Sequence, residues 1–397
     1  MHIEEARMAR VAIVGGGIMG ASLAYWLTEL GHPPGEIAVV ERDPSYARAA
    51  TSLTNSCIRQ QFGNPLNVAI SRFGVEYLRD FPARTGDPRV PPVAMHAFGY
   101  LYLAGDAAQA ERLRAAHAVQ VAAGAGTLLL TPDEIAARWP FYDLDGVVLG
   151  SWGARDEGYF DGGTLFEWWR RLARERGVAF HAGEAAAVGL RGGRARGVTL
   201  ACGAELGADI VVLAAGTRTP ALARTAGIAL PVEPRRRHTW VFQAEAPPTA
   251  ELPLTIDPSG LHVRSDGAWF MAGAAPDPDP AVDPDDFAED HALWEAEIWP
   301  RLAARIPAFE AVRLRRSWVG HYDLNTLDAN AVIGPHPACE GLWLMTGFSG
   351  HGLQQAPAMG RGLAERIVHG RYVTLDLGPF GCARLETGTP FPELAVI

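Results

Sequence analysis

Apolar positions along this chain fall into short unbroken runs, stretches with helical spacing, and one long region that alternates. Val11, Ala12, Ile13 and Val14 form an apolar run rich in β-branched residues, the kind found in a parallel sheet buried on both faces. An Ala/Leu-rich segment to Leu30 follows, Gly31 ends it, and a second apolar run at 37–40 leads to Glu41. The pattern predicts strand, helix and strand in that order. Another buried strand is predicted over 208–213. It ends in the small residues Ala214, Ala215 and Gly216, which let backbone approach a ligand. Helical spacing predicts helices over 67–81, 107–124, 164–176, 290–306 and 352–369, and Thr131 followed by Pro132 marks a further helix start. Shorter strands are predicted at 98–103, 178–181, 184–190, 318–334 and 341–347, and residues 231–273 alternate as antiparallel strands do. The Pro-rich stretch 87–93 marks a domain crossing, and the Pro/Asp-rich stretch 275–286 is expected to be an exposed loop.

Between the first predicted strand and helix, Gly15, Gly17 and Gly20 fit G-x-G-x-x-G. The first glycine allows a tight turn, the second lets a pyrophosphate approach the backbone, and the third lets the helix pack close to the strand. The helix N-terminus then offers N–H groups and a positive dipole end to phosphates. Glu41 follows at the spacing where a carboxylate accepts from ribose hydroxyls. This predicts a dinucleotide site and leaves NAD(P) and FAD both open. The polar loop 43–63 follows the acid and is expected to run past the cofactor.

Composition narrows the chemistry. A chain of 397 residues can bury a large core and divide into two domains. Its net charge of -10 argues against general nucleic-acid binding, and the short basic run at 235–237 reads as a solvated strand end. The sequence contains no lysine, which removes Schiff-base and P-loop lysine chemistry. No apolar run is long enough for a transmembrane helix, and residues 1–10 carry Glu4 and Glu5 without the apolar core of a secretory signal. Four scattered cysteines without C-x-x-C are expected to be reduced thiols of a cytoplasmic protein. No histidine or acid spacing points to a metal. Residues 347–351 lack the closing glycine of G-x-S-x-G, so a hydrolase elbow is unsupported.

A second glycine-rich turn spans 347–354: Gly347, Phe348, Ser349, Gly350, His351, Gly352, Leu353, Gln354. NAD-dependent Rossmann enzymes do not need it. Paired with the first turn, it resembles the D-amino-acid-oxidase-type (DAO) flavoproteins, in particular monomeric sarcosine oxidases and a mitochondrial FAD-dependent oxidoreductase-domain branch linked to respiratory complex I assembly. Four blocks carry the likeness: 15–41, 183–216, 322–334 and 347–354, with 231–237 adding to the complex I-associated branch. The likeness implies an α/β (α+β) fold: a Rossmann-like FAD-binding domain of discontinuous segments under a second, antiparallel β-sheet domain. The expected division is 1–86, 150–225 and 322–370 for FAD, 87–149 and 226–321 for substrate, and a tail at 371–397.

The same resemblance implies site residues. Gly15, Gly17, Ile18, Met19, Gly20, Glu41 and Arg42 would hold the adenosine and pyrophosphate, with Thr51 and Ser52 nearby and Ala185 touching adenine through its backbone. Ala214, Ala215 and Gly216 would flank the cofactor. Gly347, Ser349, Gly350, His351, Gly352, Leu353 and Gln354 would face the pyrimidine end of the isoalloxazine, where a helix N-terminus suits the negative charge of a reduced flavin. Where relatives attach flavin covalently, this chain has Gly320 and Leu53 with Thr54, so FAD is expected to be noncovalent. Arg59 stands where an arginine takes the substrate carboxylate, and a loop arginine paired to an acid is the other reading. His351 matches a substrate-side histidine or is a turn histidine bonded to backbone, and Tyr322 lines the pocket or belongs to the core. Gln354 replaces the lysine that sarcosine oxidases use toward oxygen, so a quinone or electron-transfer protein is the expected acceptor. Two functions follow: oxidation of a small amine or amino acid at its C–N bond, or a flavin-binding assembly factor with weak catalysis.

Overall fold

Val11–Val14 lies inside a six-stranded sheet whose order is Val332–Pro335, Leu342–Thr346, Ile210–Leu213, Val11–Val14, Ile37–Glu41, Ala179–Ala182. The computed structural model describes residues 10–394. The reading of the N-terminus as lacking a secretory signal falls on residues 1–9, outside the described residues, as does the end of the expected tail, 395–397. All pairings are parallel except that of Val332–Pro335 with Leu342–Thr346. The first strand is buried along its whole length between Ile210–Leu213 and Ile37–Glu41, which explains its unbroken apolar run.

The two faces of this sheet are covered differently. Helices Gly162–Arg176 and Gly352–His369 both pack on Ile18–Glu29 on one side. Ser22 donates to the Ala356 carbonyl at 2.7 Å, and a Cβ on Gly360 would strike Ser22, so these helices touch backbone to backbone. Opposite them, the meander Ala185–Arg191, Arg194–Leu200, Glu205–Gly207 contributes Val188, Ala195 and Val198 to a core shared with Ala12, Val14 and Leu213.

An eight-stranded sheet runs Val312–Asn325, Val232–Ala244, Trp269–Gly273, His262–Asp266, Leu254–Ile256, Tyr100–Ala104, Leu149–Gly153, Thr127–Leu130. The alternation over 231–273 is thus realised as antiparallel strands. Trp240, Phe242, Phe270, Trp294 and Phe309 pack on its outer side as one aromatic core. The overall class is mixed α/β, as expected.

Two local expectations are corrected. The helix expected over 290–306 is a π turn, Trp294–Ile298, followed by Trp299–Arg305. Pro300 has no N–H to give to the carbonyl four residues back, and Trp299 N–H bonds Trp294 instead. Arg235, Arg236 and Arg237 are not a solvated strand end. They lie within Val232–Ala244 with side chains 15%, 31% and 11% exposed, each paired to an acid. The stretch 275–286 is a loop with no buried residue, as expected, and its Asp279 and Asp286 are the partners of Arg237 and Arg236.

Candidate functional site

One cavity of about 570 Å³ runs from the first glycine turn to the second, between the parallel sheet and the eight-stranded sheet. Both turns stand at the C-terminal ends of parallel strands, where ligands of open α/β sheets bind. Helices Ile18–Glu29 and Gly352–His369 start there side by side, and a Cβ on Gly352 would sit 3.2 Å from the Met19 methyl.

At the first turn Gly15 has φ +101°, and a Cβ on it would run into the Ala214 carbonyl. A Cβ on Gly20 would overlap the Gly15 carbonyl oxygen, so this glycine sets how closely helix and strand approach. A Cβ on Gly17 would meet only Thr51 Oγ1, at 3.1 Å. Thr51 accepts from the Ile18 N–H at 2.9 Å. Glu41 accepts from the Gly16 and Asp43 amides, both at 2.8 Å, which fixes its carboxylate at the cavity wall.

The second turn is clamped from below. Asp323 accepts from the Gly347 N–H at 2.8 Å and through its carbonyl from Ser349 N–H at 3.1 Å, while Ser349 Oγ accepts from Asn325 N–H at 3.0 Å. Burial pushes the Asp323 carboxyl up to about 6, against the bonds it accepts from the Gly347, Phe348 and Asp323 amides and the Thr346 hydroxyl. Gly350 has φ +88° and lies flat on the Tyr322 ring. Tyr322 in turn lies beneath the Arg237 guanidinium at 4.8 Å, and burial raises its hydroxyl, keeping it protonated.

Arg59 is 3% exposed and lines the cavity. Its backbone N–H donates to Gln354 Oε1 at 2.8 Å, its Nε to the Gln61 carbonyl at 3.3 Å, and its guanidinium lies 4.4 Å from the Phe62 ring centre. A guanidinium has no acceptor, so the 3.0 Å contact from Arg59 to His351 Nε2 makes that nitrogen the acceptor, without a proton of its own. The structure therefore brings Arg59, His351, Tyr322 and Gln354 together on one cavity wall.

The cavity is also lined by Gly15, Gly17, Ile18, Met19, Glu41, Arg42, Thr51, Ala185, Ala214, Ala215, Gly216 and Ser349 to Gln354. Ser52, Gly20 and Gly347 do not line it. Ser52 is exposed, and the two glycines act through packing and through the bond to Asp323.

Sequence reasoning missed several lining residues. His262 faces the cavity from the eight-stranded sheet, beside Asn55, which also accepts from Thr239. Burial, then Arg237 and Arg264, lowers its ring to about 4, leaving it neutral at pH 7. Gly273, its register partner, leaves it room. The only signal for this residue was a histidine on an alternating strand. Behind Arg59, buried Glu157 accepts from Gln60 N–H at 2.8 Å and Gln61 Nε2 at 3.1 Å, and burial raises it to about 7.

The residues present fit FAD. A glycine cradle that a Cβ would fill, a positioned acid and a helix N-terminus without a side-chain cap occupy one end. A second glycine turn opening a helix occupies the other. Residues 10–366 match the family described as FAD dependent oxidoreductase. The chain is 36% identical to the FAD-dependent oxidoreductase domain-containing protein 1 of Bos taurus, over 98% of this chain and 87% of that protein. It is 28% identical to the 4-methylaminobutanoate oxidase (formaldehyde-forming) of Paenarthrobacter nicotinovorans, over 91% of this chain and 44% of that one. The solved L-proline dehydrogenase of P. horikoshii shares the fold, with TM-score 0.81 and 24% identity over 96% of this chain and 99% of that one. Among the described residues, no helix is long and apolar enough to cross a membrane.

Proposed function

Because the chain belongs to the DAO family of FAD-dependent oxidoreductases, we propose that it oxidises the C–N bond of a small amino acid or N-alkyl amino acid to the imine. The observation that carries this reading is the buried Arg59 guanidinium, held in the wall of a cavity whose other end is a dinucleotide cradle. Bound FAD supplies the two-electron acceptor. The eight-stranded sheet covers the substrate end and the six-stranded sheet holds the cofactor. Gly15, Gly17, Glu41 and Thr51 would hold the adenosine and pyrophosphate, and residues 349–354 the ring.

Arg59 receives the substrate carboxylate through a bidentate charged pair. Its stem is already fixed by Gln61, Phe62 and His351, so little side-chain freedom is lost on binding. His351, accepting from Arg59, holds that guanidinium in place. Tyr322 and the neutral ring of His262 exclude water from the substrate end. The relative named for 4-methylaminobutanoate, an N-methyl amine with a carboxylate, supports an amino-acid substrate. Gln354 places no cation for oxygen, which favours a dehydrogenase with a quinone or electron-transfer protein as acceptor. Gly320, Leu53 and Thr54 favour noncovalent FAD.

Anaerobic mixing with a panel of glycine, N-methylglycine and larger N-alkyl amino acids tests the reading. Loss of flavin absorbance with at least one of them is expected, and acid precipitation should leave FAD in the supernatant. A second reading, a flavin-binding assembly factor, draws on similarity over 98% of this chain and 87% of a protein whose name states no substrate. It is favoured if no amine on the panel bleaches the flavin.

A further inference from the structure

Beyond its strand Trp269–Gly273, the chain leaves the eight-stranded sheet and folds back along the open edge of Val232–Ala244. That neighbouring strand pairs with Trp269–Gly273 only at Trp240 to Phe242, so its earlier residues are free on that side. The returning segment takes the edge: Ala281 bridges Arg235, and Val282 N–H donates to the Pro234 carbonyl at 3.0 Å. It then crosses to the other side of the cavity.

Its acids meet arginines from both halves of the molecule. Asp279 holds Arg237 in a two-bond fork at 2.9 and 2.8 Å, and Asp286 meets Arg236 at 3.1 Å, both on the eight-stranded sheet side. Asp285 meets Arg42 at 3.2 Å, just past the strand Ile37–Glu41, and also pairs with Arg218, just past Ile210–Leu213. Phe287 packs on His321 with ring centres 4.4 Å apart, and the Arg48 guanidinium lies 5.4 Å above it. Pro284 and Phe287 line the cavity itself.

We propose that residues 279–287 form a strap, ion-paired at both ends, that closes the mouth of the dinucleotide cavity and sets how fast FAD leaves. On the eight-stranded sheet side the strap is tied by the partly buried Asp279 fork and by Asp286; on the other side it is held by Asp285 pairs whose side chains are 25% to 52% exposed. Exposed pairs are weak and screened by salt, buried ones less so. The Asp285 pairs with Arg42 and Arg218 should therefore open first, with the strap staying on the eight-stranded sheet through Asp279 and Asp286. The Pro-rich sequence limits the conformations an opened strap can reach, which favours reclosure.

The test is FAD release from holoprotein, followed as free-flavin fluorescence after dilution into excess apoflavoprotein trap. In wild-type protein release should quicken several-fold between 50 and 500 mM NaCl, about the range over which screening removes exposed pairs. Asp285→Asn should quicken release about three- to tenfold at low salt, the loss of one or two partly exposed pairs, and should flatten the salt dependence. Asp279→Asn combined with Asp285→Asn should quicken it further. Apoprotein melting of Asp285→Asn within a degree or two of wild type shows that the change is local. Slower release from Asp285→Asn would overturn the strap, because Asp285 would then be competing with the cofactor phosphates for Arg42 and Arg218. Release unchanged, or retaining the full salt dependence, would also overturn it. A purified protein without any flavin would instead count against the cofactor assignment.

Discussion

Gly17 and Gly20 sit three residues apart in one turn, yet alanine at each should do opposite things. At Gly20 the new Cβ overlaps the Gly15 carbonyl oxygen and lies 3.0 Å from its carbon and 3.2 Å from the Ile13 methyl. Two of these contacts are backbone, so the helix Ile18–Glu29 must move off the strand. Overpacking of this kind costs about 3 kcal/mol at the upper end of its range, and the gain in helix propensity returns about 1 kcal/mol, leaving a net loss of about 2 kcal/mol. At Gly17, φ is -62°, a value any residue adopts, and the Cβ meets only the Thr51 hydroxyl. Apoprotein stability should then fall by less than about 1 kcal/mol, the scale of an N-cap change. The same Cβ fills the approach path of the pyrophosphate, and losing one or two charge-assisted hydrogen bonds weakens FAD binding by roughly 10- to 100-fold. Denaturant melts of the two apoproteins and flavin-fluorescence titrations separate the effects. If Gly17→Ala destabilises the apoprotein as much as Gly20→Ala does, or binds FAD as tightly as wild type, the assignment of the cradle is wrong.

Arg59→Ala should raise KM for an amino-acid substrate by about 2–4 kcal/mol in binding while FAD affinity changes little, and steady-state kinetics with flavin titration will show whether it does. Glu157 gives a pH prediction. Its carboxyl is raised from 4.5 to about 7, so the folded state holds the proton more tightly, and the stability this lends is full below pH 4.5 and lost as pH rises through 7. The wild-type-minus-Glu157→Gln stability difference should fall by about 3 kcal/mol between pH 4.5 and 8 in denaturant melts, and a flat difference would sink this assignment. Gln354→Lys should speed reoxidation of the photoreduced flavin by oxygen in stopped flow, because a cation stabilises superoxide. It should also raise KM, since an ammonium cannot accept the Arg59 N–H that Gln354 Oε1 accepts.

What was legible beforehand is local. The first strand, turn and helix could be read because each glycine answers to a constraint within a few residues: a positive φ at Gly15 and a close approach at Gly20. Helix Gly352–His369 was read with its observed bounds, since a glycine turn precedes it and Gly370 at φ +71° closes it. Thr131 could be read as a helix start and has a complete capping box with Glu134. The cavity wall on the eight-stranded sheet was not legible in this way. His262, Asn55 and Thr239 come from a loop and two strands that are not neighbours in the sheet, and alternation tells only which residues share a face. The clamp from Asp323 onto Gly347 was hidden for the same reason, because its two ends are 24 residues apart.

The half-buried placement of the arginine run at 235–237, paired to the acidic stretch at 275–286, was not legible, and the reason is electrostatic. A charge with no partner in view is assigned to water, because burying it alone costs far more than any packing gain. Each segment judged separately therefore looks solvated. Arg237 meets Asp279 across 42 residues and Arg236 meets Asp286 across 50, separations at which no spacing rule applies. Once paired, the two segments can leave bulk water at a much smaller cost, and Arg237 can stand over Tyr322 inside the cavity with its charge balanced. The Arg237 cation in the cavity wall is thus neutralised from the strap. Arg237 would have to surrender a bidentate aspartate to take a substrate carboxylate.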